Sequence, residues 1–182
     1  LVPLLQEPCP VERMSAVYAL GRNPCPRAVD ILVKILQEDS NAYVRRATAW
    51  SLGNYSNESV IEPLVNSLNN DVAAVRLWAS SSLAEIGLTS FKNADFTAQK
   101  LLLSLKIDLE PGVRSNCIWS LGRLYEQLNQ VRKDEIVDVI ITVLLSDVES
   151  SVRYEARIAL EQIDNPKVQE CFKQLNIDGQ LI

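Results

Sequence analysis

The sequence contains no histidine, the side chain that most often serves as a general base or a metal ligand. Its four cysteines show no C-x-x-C spacing, the pattern that is typical of zinc sites. It also has no glycine-rich phosphate loop. We therefore expect no catalytic residue, no metal site and no resident cofactor.

Clusters of basic residues are also missing. Lysine and arginine total 18 against 23 aspartates and glutamates, which gives a formal net charge of −5, and no basic run exceeds two residues. Because a phosphate-binding surface needs clustered cations, we do not expect a nucleic-acid partner. The longest apolar stretch, residues 136–145, contains Asp138 and reaches about half the length of a membrane span, so we do not expect a membrane partner either.

The spacing of the cysteines argues against disulfides. Cys9 and Cys25 flank a predicted helix of about 12 residues, which would separate them by roughly 18 Å, beyond the reach of a disulfide. Unpaired cysteines favour a reducing compartment, so we expect a cytoplasmic location. Cys9 and Cys25 each precede a proline and should be exposed, whereas Cys117 and Cys171 should be buried fillers. We therefore do not expect this chain alone to hold a cysteine-ligated metal cluster. The alternative is a cluster whose ligands are shared with a partner protein.

The sequence does contain a repeat. Aligned on one arginine, five copies follow one another at spacings of 32, 31, 38 and 39 residues. A small residue stands three positions after the arginine and a leucine seven positions after it, and four of the copies have a valine just before the arginine. This i, i+4, i+8 stripe predicts an amphipathic helix. The columns are Arg13, Arg45, Arg76, Arg114 and Arg153; Val44, Val75, Val113 and Val152; Ala16, Thr48, Ala79, Cys117 and Ala156; and Leu20, Leu52, Leu83, Leu121 and Leu160.

A second apolar stripe follows each first one at i, i+3, i+7 and predicts a second helix in every copy. An aspartate comes three residues after each second stripe, in the turn to the next copy, where it can accept backbone N–H groups and suits the helix dipole. We expect each aspartate to pair with the arginine that follows it, in a structural ladder where losing one carboxylate costs about 1 kcal/mol. The predicted pairs are Asp39–Arg45, Asp71–Arg76, Asp108–Arg114 and Asp147–Arg153, and Asp178 is the fifth turn aspartate.

The pattern D-x(4,5)-VR-x(6)-LG resembles the HEAT-like repeat of the phycobilisome lyase family over essentially the whole chain. The resemblance implies an all-α, HEAT-like α-solenoid of about five stacked helix pairs, in one array over residues 1–182. We predict the pairs at about residues 10–38, 40–70, 71–107, 110–146 and 149–176, with residues 1–8 as the remnant of a preceding helix. The sequence departs from the pattern at Glu7, which replaces the first turn aspartate, and in the third and fourth copies. Each of these gains about seven residues, around Phe91 and Gln130, which we expect to form loops.

The resemblance implies one of two functions. Our leading expectation is a non-catalytic, chaperone-like adaptor or scaffold for a protein client, such as a phycobiliprotein or a protein of cofactor assembly, iron–sulfur assembly included. The alternative is a subunit of an E/F-type bilin lyase that attaches or removes bilin on phycobiliproteins and holds phycobilin transiently. Metalloenzymes of HEAT architecture use histidine, and HEAT-like DNA glycosylases present a basic groove, so neither class fits this sequence.

Two surface columns are candidates for binding the client. We expect the first helices on the convex side of the stack and the second helices on the concave side. An acidic and polar column on the second helices is either an ordinary solvated face or a negative strip for a basic client segment, and we predict the latter. A column of large rings on the first helices is either buried between neighbours or exposed for contact. The columns are Asp30, Glu62, Gln99, Asp138 and Gln169, and Tyr18, Trp50 and Trp119 with Ser81 and Ile158.

Overall fold

The computed structural model describes residues 2–177, which form ten α-helices in five consecutive pairs and contain no β-strand. The first helices of the pairs are α1 (Pro10–Arg22), α3 (Ala42–Leu52), α5 (Ala73–Gly87), α7 (Pro111–Leu124) and α9 (Ser150–Glu161). The second helices are α2 (Val29–Glu38), α4 (Ile61–Asn70), α6 (Phe91–Ile107), α8 (Gln130–Ser146) and α10 (Pro166–Ile177). Short 3-10 helices cover Val2–Gln6, Pro26–Ala28, Glu58–Val60 and Tyr125–Gln127. The predicted all-α class and repeat pattern are confirmed.

Local sequence signals start many of these helices. Asn41 accepts hydrogen bonds from the backbone N–H groups of the first turn of α3, and Ser90 and Asn129 do the same for α6 and α8. Proline stands at the first position of α1 and α7, where its missing N–H leaves no helical hydrogen bond unmade. These five helices therefore begin where the sequence supplies either an acceptor for the free N–H groups or a residue that has none.

The core lies between the two helix layers and follows the repeat columns. Every valine, small residue and leucine of the first-helix columns is buried, including Cys117 and Thr48. The second apolar stripe is also buried in the first three pairs, but Leu144 of α8 and Cys171 and Leu175 of α10 are half-buried. The buried members are Val29, Leu32 and Leu36; Ile61, Leu64 and Leu68; and Ala98, Leu101 and Leu105. Each second helix packs closely against the first helix of the next pair, and α10 has no such neighbour among the described residues. The apolar residues of α10 are therefore less covered than the pattern predicts.

The two layers differ in the spacing of their helices. The first helices pack closely against one another along the whole array, whereas neighbouring second helices approach each other only sparsely. When the helices of one layer are more closely spaced than those of the other, the stack curves with the closely spaced layer on its inner side. The first helices therefore form the inner, concave side, and the prediction that they line the convex side is wrong.

Small residues permit the close spacing of the inner layer. A Cβ atom at Gly53 of α3's C-terminal end would lie 2.5 Å from Ser82 Oγ and 3.0 Å from Ser82 Cα of α5. Ser82 Oγ donates a 2.7 Å hydrogen bond to the Ala49 carbonyl, and Ser120 Oγ donates one of 3.2 Å to the Ser80 carbonyl. Adjacent first helices are thus joined by direct hydrogen bonds as well as by packing.

The extra residues of the third and fourth copies extend helices. Whereas α2 and α4 have 10 residues each and follow a 3-10 turn, α6 and α8 have 17 residues each. Phe91 and Gln130 are the first residues of α6 and α8, so the prediction of loops there is wrong. Despite this added length, residues 2–177 contain no helix with both the length and the apolar character needed to cross a bilayer.

Candidate functional site

The arginine–aspartate ladder is present, but its pairing is displaced by one repeat from the prediction. Each arginine binds the carboxylate of the aspartate that ends its own helix pair, in two-pronged geometry through Nε and Nη2. The predicted partner, the aspartate just before the arginine, contributes its backbone carbonyl instead, as in the 2.7 Å bond from Arg45 Nη1 to Asp39 O. The observed carboxylate pairs, each at 2.7 Å, are Arg13–Asp39, Arg45–Asp71, Arg76–Asp108 and Arg114–Asp147.

The last ladder arginine, Arg153, makes the same bond to a backbone carbonyl. Arg153 Nη1 donates to the Asp147 carbonyl at 2.7 Å, not to the Asp147 carboxylate that the sequence predicted. The next turn aspartate, Asp178, lies outside the described residues. The ladder links successive pairs at every described joint, and this repetition marks it as structural rather than catalytic.

The aromatic column lies on the inner surface of the first-helix layer. Tyr18 of α1 and Trp50 of α3 are half-buried, and their ring centres are 5.4 Å apart. Trp50 packs over Gly21, where an added Cβ would lie 2.5 Å from the ring. Trp119 of α7 is 43% exposed. Trp50 is therefore packed against both Tyr18 and Gly21, and the rings of the column face the concave surface.

Sequence reasoning missed Trp78, which belongs to the same surface. Trp78 is 37% exposed and lines a shallow depression of about 160 Å³ together with Trp50 and Trp119. A second depression of about 410 Å³ continues from Trp78 and Trp119 to Glu155 of α9. The signal was available, because Trp78 precedes Ser81 by three residues and so shares its helix face. The three tryptophans of the chain thus line one continuous concave surface, which we call the tryptophan face.

Polar groups around the tryptophan face are fixed by neighbouring helices. The Arg123 guanidinium lies 5.0 Å from the Trp119 ring centre and forms a salt bridge with Glu85 of α5. Asn116 Nδ2 donates hydrogen bonds of 2.7 Å to the hydroxyl oxygens of both Ser80 and Ser81. The surface therefore combines flat rings with polar groups that neighbouring helices hold in fixed positions.

The acidic column lies elsewhere. All five of its residues are exposed, and they occupy the second helices, which form the outer layer. Asp138 is engaged in a 2.6 Å salt bridge with Lys167 of α10. The column therefore does not face the concave groove that the sequence analysis predicted for it. Its members are Asp30, Glu62, Gln99, Asp138 and Gln169.

The four cysteines differ in burial, and none belongs to the tryptophan face. Cys117 is fully buried, and burial raises the pKa of its thiol to about 12. Cys9 is exposed, as predicted. Cys25 was also predicted to be exposed, but it is half-buried. Cys171 is also half-buried, which corrects the prediction that it lies in the core. Across residues 2–177, potential metal ligands do not come together in groups of three or more.

Comparisons with known proteins agree with this architecture. The protein-family model for HEAT repeats matches residues 1–84. No curated protein sequence matches the chain significantly.

Solved structures with similar folds are repeat proteins. A designed armadillo repeat protein in complex with the peptide (KR)4 is 19% identical with a TM-score of 0.61, over 99% of this chain and 87% of that one. The complex of CpcE and CpcF of phycocyanin lyase from Nostoc sp. PCC7120 includes a chain that is 19% identical with a TM-score of 0.61, over 82% of this chain and 98% of that one. YibA of E. coli is 23% identical with a TM-score of 0.66, over 95% of this chain but 62% of its own. The chain thus has the α-solenoid fold of these repeat proteins.

Proposed function

We propose that this protein is a non-catalytic scaffold that holds a segment of a client protein on its tryptophan face. The observation that carries the proposal is the convergence of Trp50, Trp78 and Trp119, from three different helix pairs, on one concave surface. Tryptophan is the residue most enriched where binding energy concentrates in protein interfaces. Curvature adds to this, because a concave solenoid surface surrounds an extended segment.

The polar surroundings support a polypeptide as the ligand. Arg123 and Glu85 form an ion pair at the edge of the tryptophan face, and the half-buried Ser81 hydroxyl is already oriented by Asn116. Such groups can satisfy the backbone and side chains of a bound segment without reorganising, which lowers the entropic cost of binding. The designed armadillo protein bound to (KR)4 and the CpcE–CpcF complex are solenoids that hold another polypeptide, and they support the same type of role here.

The proposed client belongs to the maturation of cofactor-containing or phycobilisome proteins. This part of the proposal rests on the phycobilisome-lyase-like repeat pattern and on the fold likeness to the CpcE–CpcF complex. A chaperone-like adaptor in such a pathway needs a binding face and no nucleophile. The polar groups of the tryptophan face are already paired with one another, so this face suits binding a client better than catalysing a reaction.

The second candidate function is a subunit of a bilin lyase. The fold likeness to the CpcE–CpcF complex favours it, and the exposed rings of Trp78 and Trp119 suit stacking against a flat conjugated ligand. Mixing the purified protein with free phycobilin distinguishes the candidates. A shifted visible absorption band that disappears in the Trp78→Ala variant favours the lyase subunit, and an unchanged bilin spectrum favours the adaptor.

The binding face itself is tested with two variants used as bait in affinity capture with mass spectrometry. Trp50→Ala with Trp119→Ala should lose the clients that the wild-type protein captures. Asp30→Lys with Glu62→Lys, on the outer layer, should retain them. Both variants should melt cooperatively, because none of the four side chains is fully buried. If the lysine variant loses the clients and the alanine variant retains them, the clients bind the acidic column and not the tryptophan face.

A further inference from the structure

A second groove lies on the opposite, outer side of the molecule, between α6 and α8. It has a volume of about 1210 Å³ and is lined by the C-terminal end of α6, the turn into α7, one face of α8 and the turn into α9. It exists because the outer layer is the splayed side of the curved stack, where α6 and α8 approach each other only sparsely. The groove is therefore a consequence of the curvature, at the place where the second helices are longest.

The groove combines an apolar floor with projecting apolar side chains. Val139 and Val143 of α8 are half-buried along its floor. Ile107, Leu109, Val131 and Val148 stand around it, and the last three are 80% exposed or more. Apolar side chains that are scattered singly over a surface need no explanation, but several around one concave groove mark a contact surface.

The charge of the groove is strongly one-sided. Seven carboxylates line it against two cations, Lys106 and Arg114. Arg114 forms a salt bridge with Asp147, and Lys106 lies 3.6 Å from Glu135. Asp108 and Asp138 form salt bridges with cations outside the groove lining, Arg76 and Lys167. Among the described residues, Glu110, Asp134 and Glu149 take part in no salt bridge. The carboxylates are Asp108, Glu110, Asp134, Glu135, Asp138, Asp147 and Glu149.

We propose that this α6–α8 groove binds a cationic amphipathic segment of a partner protein. Apolar side chains of the segment would cover Val139, Val143 and Ile107, while its lysines or arginines would reach Glu110 and Glu149 at the two turns. Charge complementarity of this kind speeds association and fixes the orientation of the bound segment. The groove is separate from the tryptophan face, so the protein would carry one binding surface on each side of the solenoid.

The same charges argue against other occupants. An anionic membrane surface or a nucleic acid would be repelled by the three carboxylates outside the salt bridges, those of Glu110, Asp134 and Glu149. A second copy of this chain is a poor fit, because its net charge of −5 adds repulsion to the acidic groove. A basic amphipathic helix or strand satisfies both the apolar floor and the acidic rim.

The test uses a labelled peptide of about 15 residues with leucines at helical spacing and lysines on the flanks of the apolar face, measured by fluorescence anisotropy. Two comparison peptides have the same composition in scrambled order, and the designed order with glutamate in place of lysine. The amphipathic lysine peptide should bind the folded full chain at least about tenfold more tightly than either, and its affinity should fall with added salt. Equal binding of the scrambled or the glutamate peptide would overturn the proposal.

Variants then locate the binding. Glu110→Lys with Glu149→Lys should weaken binding of the lysine peptide by about tenfold. The matched control, Asp30→Lys with Glu62→Lys, makes the same change in net charge at two exposed positions of α2 and α4 and should leave affinity within about twofold. Equal effects of the two variants would show that only overall charge matters, and the proposal would fail.

A second pair of substitutions covers the case in which lysine at the two turns destabilises the fold. Ile107→Ser with Val131→Ser removes apolar contact from two largely exposed positions and should weaken binding several-fold while the melting temperature stays unchanged. Wild-type affinity in this variant would contradict a role for the apolar side chains around the groove. The Trp50→Ala, Trp119→Ala protein should bind the lysine peptide normally, and its failure to do so would place the peptide on the tryptophan face.

Discussion

At the scale of single residues, each ladder arginine joins three segments of the chain. Arg76 binds the Asp108 carboxylate through Nε and Nη2, both at 2.7 Å, and donates from Nη1 to the Asp71 carbonyl at 2.8 Å. Asp108 also accepts a hydrogen bond from the Glu110 backbone N–H. The side chains of Asp108 and Arg76 are only 6% and 19% exposed. Removing either partner would leave the other charge poorly solvated.

We predict that Asp108→Ala lowers the free energy of unfolding by about 3 kcal/mol, the usual cost of breaking a largely buried ion pair. This exceeds the value of about 1 kcal/mol that the sequence-based interpretation as a helix cap gave. Denaturant unfolding of single and double variants also tests the pairing. The coupling energy of Asp108→Ala with Arg76→Met should exceed that with Arg114→Met, and the reverse order would restore the pairing predicted from sequence.

Thiol labelling checks burial at the cysteine positions. Cys9 should react rapidly with a thiol reagent in the folded protein, and Cys25 and Cys171 more slowly because both are half-buried. Cys117 should react only on unfolding, since it is fully buried and its thiolate form is disfavoured by a pKa of about 12. Single-cysteine variants with mass detection give the order, and fast labelling of Cys117 would contradict the helix packing described here.

At the scale of helices, contact between first helices depends on glycine only where the neighbour is close. Gly53 and Gly122 occupy the same repeat position, directly after Leu52 and Leu121. A Cβ at Gly53 would meet both the side chain and the backbone of Ser82, whereas nothing lies within 4 Å of a Cβ at Gly122. The two positions therefore provide a matched pair for the inner-layer packing.

We predict that Gly53→Ala lowers the melting temperature, because Ser82 and its hydrogen bond to Ala49 must shift to admit the methyl group. Gly122→Ala should leave the melting temperature unchanged or raise it, since alanine favours the helix by up to about 1 kcal/mol. Circular dichroism melts of the two variants measure the difference. A larger loss in Gly122→Ala would mean that the inner layer is not packed through this column.

Much of the architecture at this scale was predictable from sequence. The valine, small-residue and leucine columns located the first helices and their core, because burial imposes the helical period directly. The direction of curvature was not predictable from those columns. It depends on the distance between neighbouring first helices compared with that between neighbouring second helices. The same limit applies to the ladder. Sequence proximity favoured the nearer aspartate, yet the packed helices direct each guanidinium to an aspartate 26 to 33 residues away.

The candidate site was only partly predictable for a related reason. Tyr18, Trp50 and Trp119 recur at one repeat position and were found by alignment, whereas Trp78 occupies a different position of its repeat. Its contribution to the same depression depends on the spacing of α3, α5 and α7 in space. Alignment of repeats detects shared columns, and it misses side chains that meet across neighbouring columns.

At the scale of the whole molecule, the ladder distributes its ion pairs evenly along the array. Burial raises the pKa of Asp39, Asp71 and Asp108, but hydrogen bonds from the partner arginine and from backbone N–H groups outweigh it, so each pKa lies below its ordinary value. For Asp147 the hydrogen bond from Arg114 is the largest influence, and that pKa is also lowered. All four joints between the five pairs therefore favour the ionised carboxylate.

This leads to a prediction for the acid stability of the entire solenoid. A carboxylate whose pKa is lowered by folding stabilises the native state above its unfolded pKa of about 4, and this stabilisation is lost as the pH falls through the folded-state pKa. Because four aspartates share this property, the free energy of unfolding should be nearly constant around neutral pH and fall steeply below about pH 4. Denaturant unfolding across this range measures the slope. Asp108→Ala should show a shallower acid slope than the wild type, whereas Asp30→Ala, at an exposed outer position, should keep the wild-type slope. An unchanged slope in Asp108→Ala would mean that the acid sensitivity arises outside the ladder.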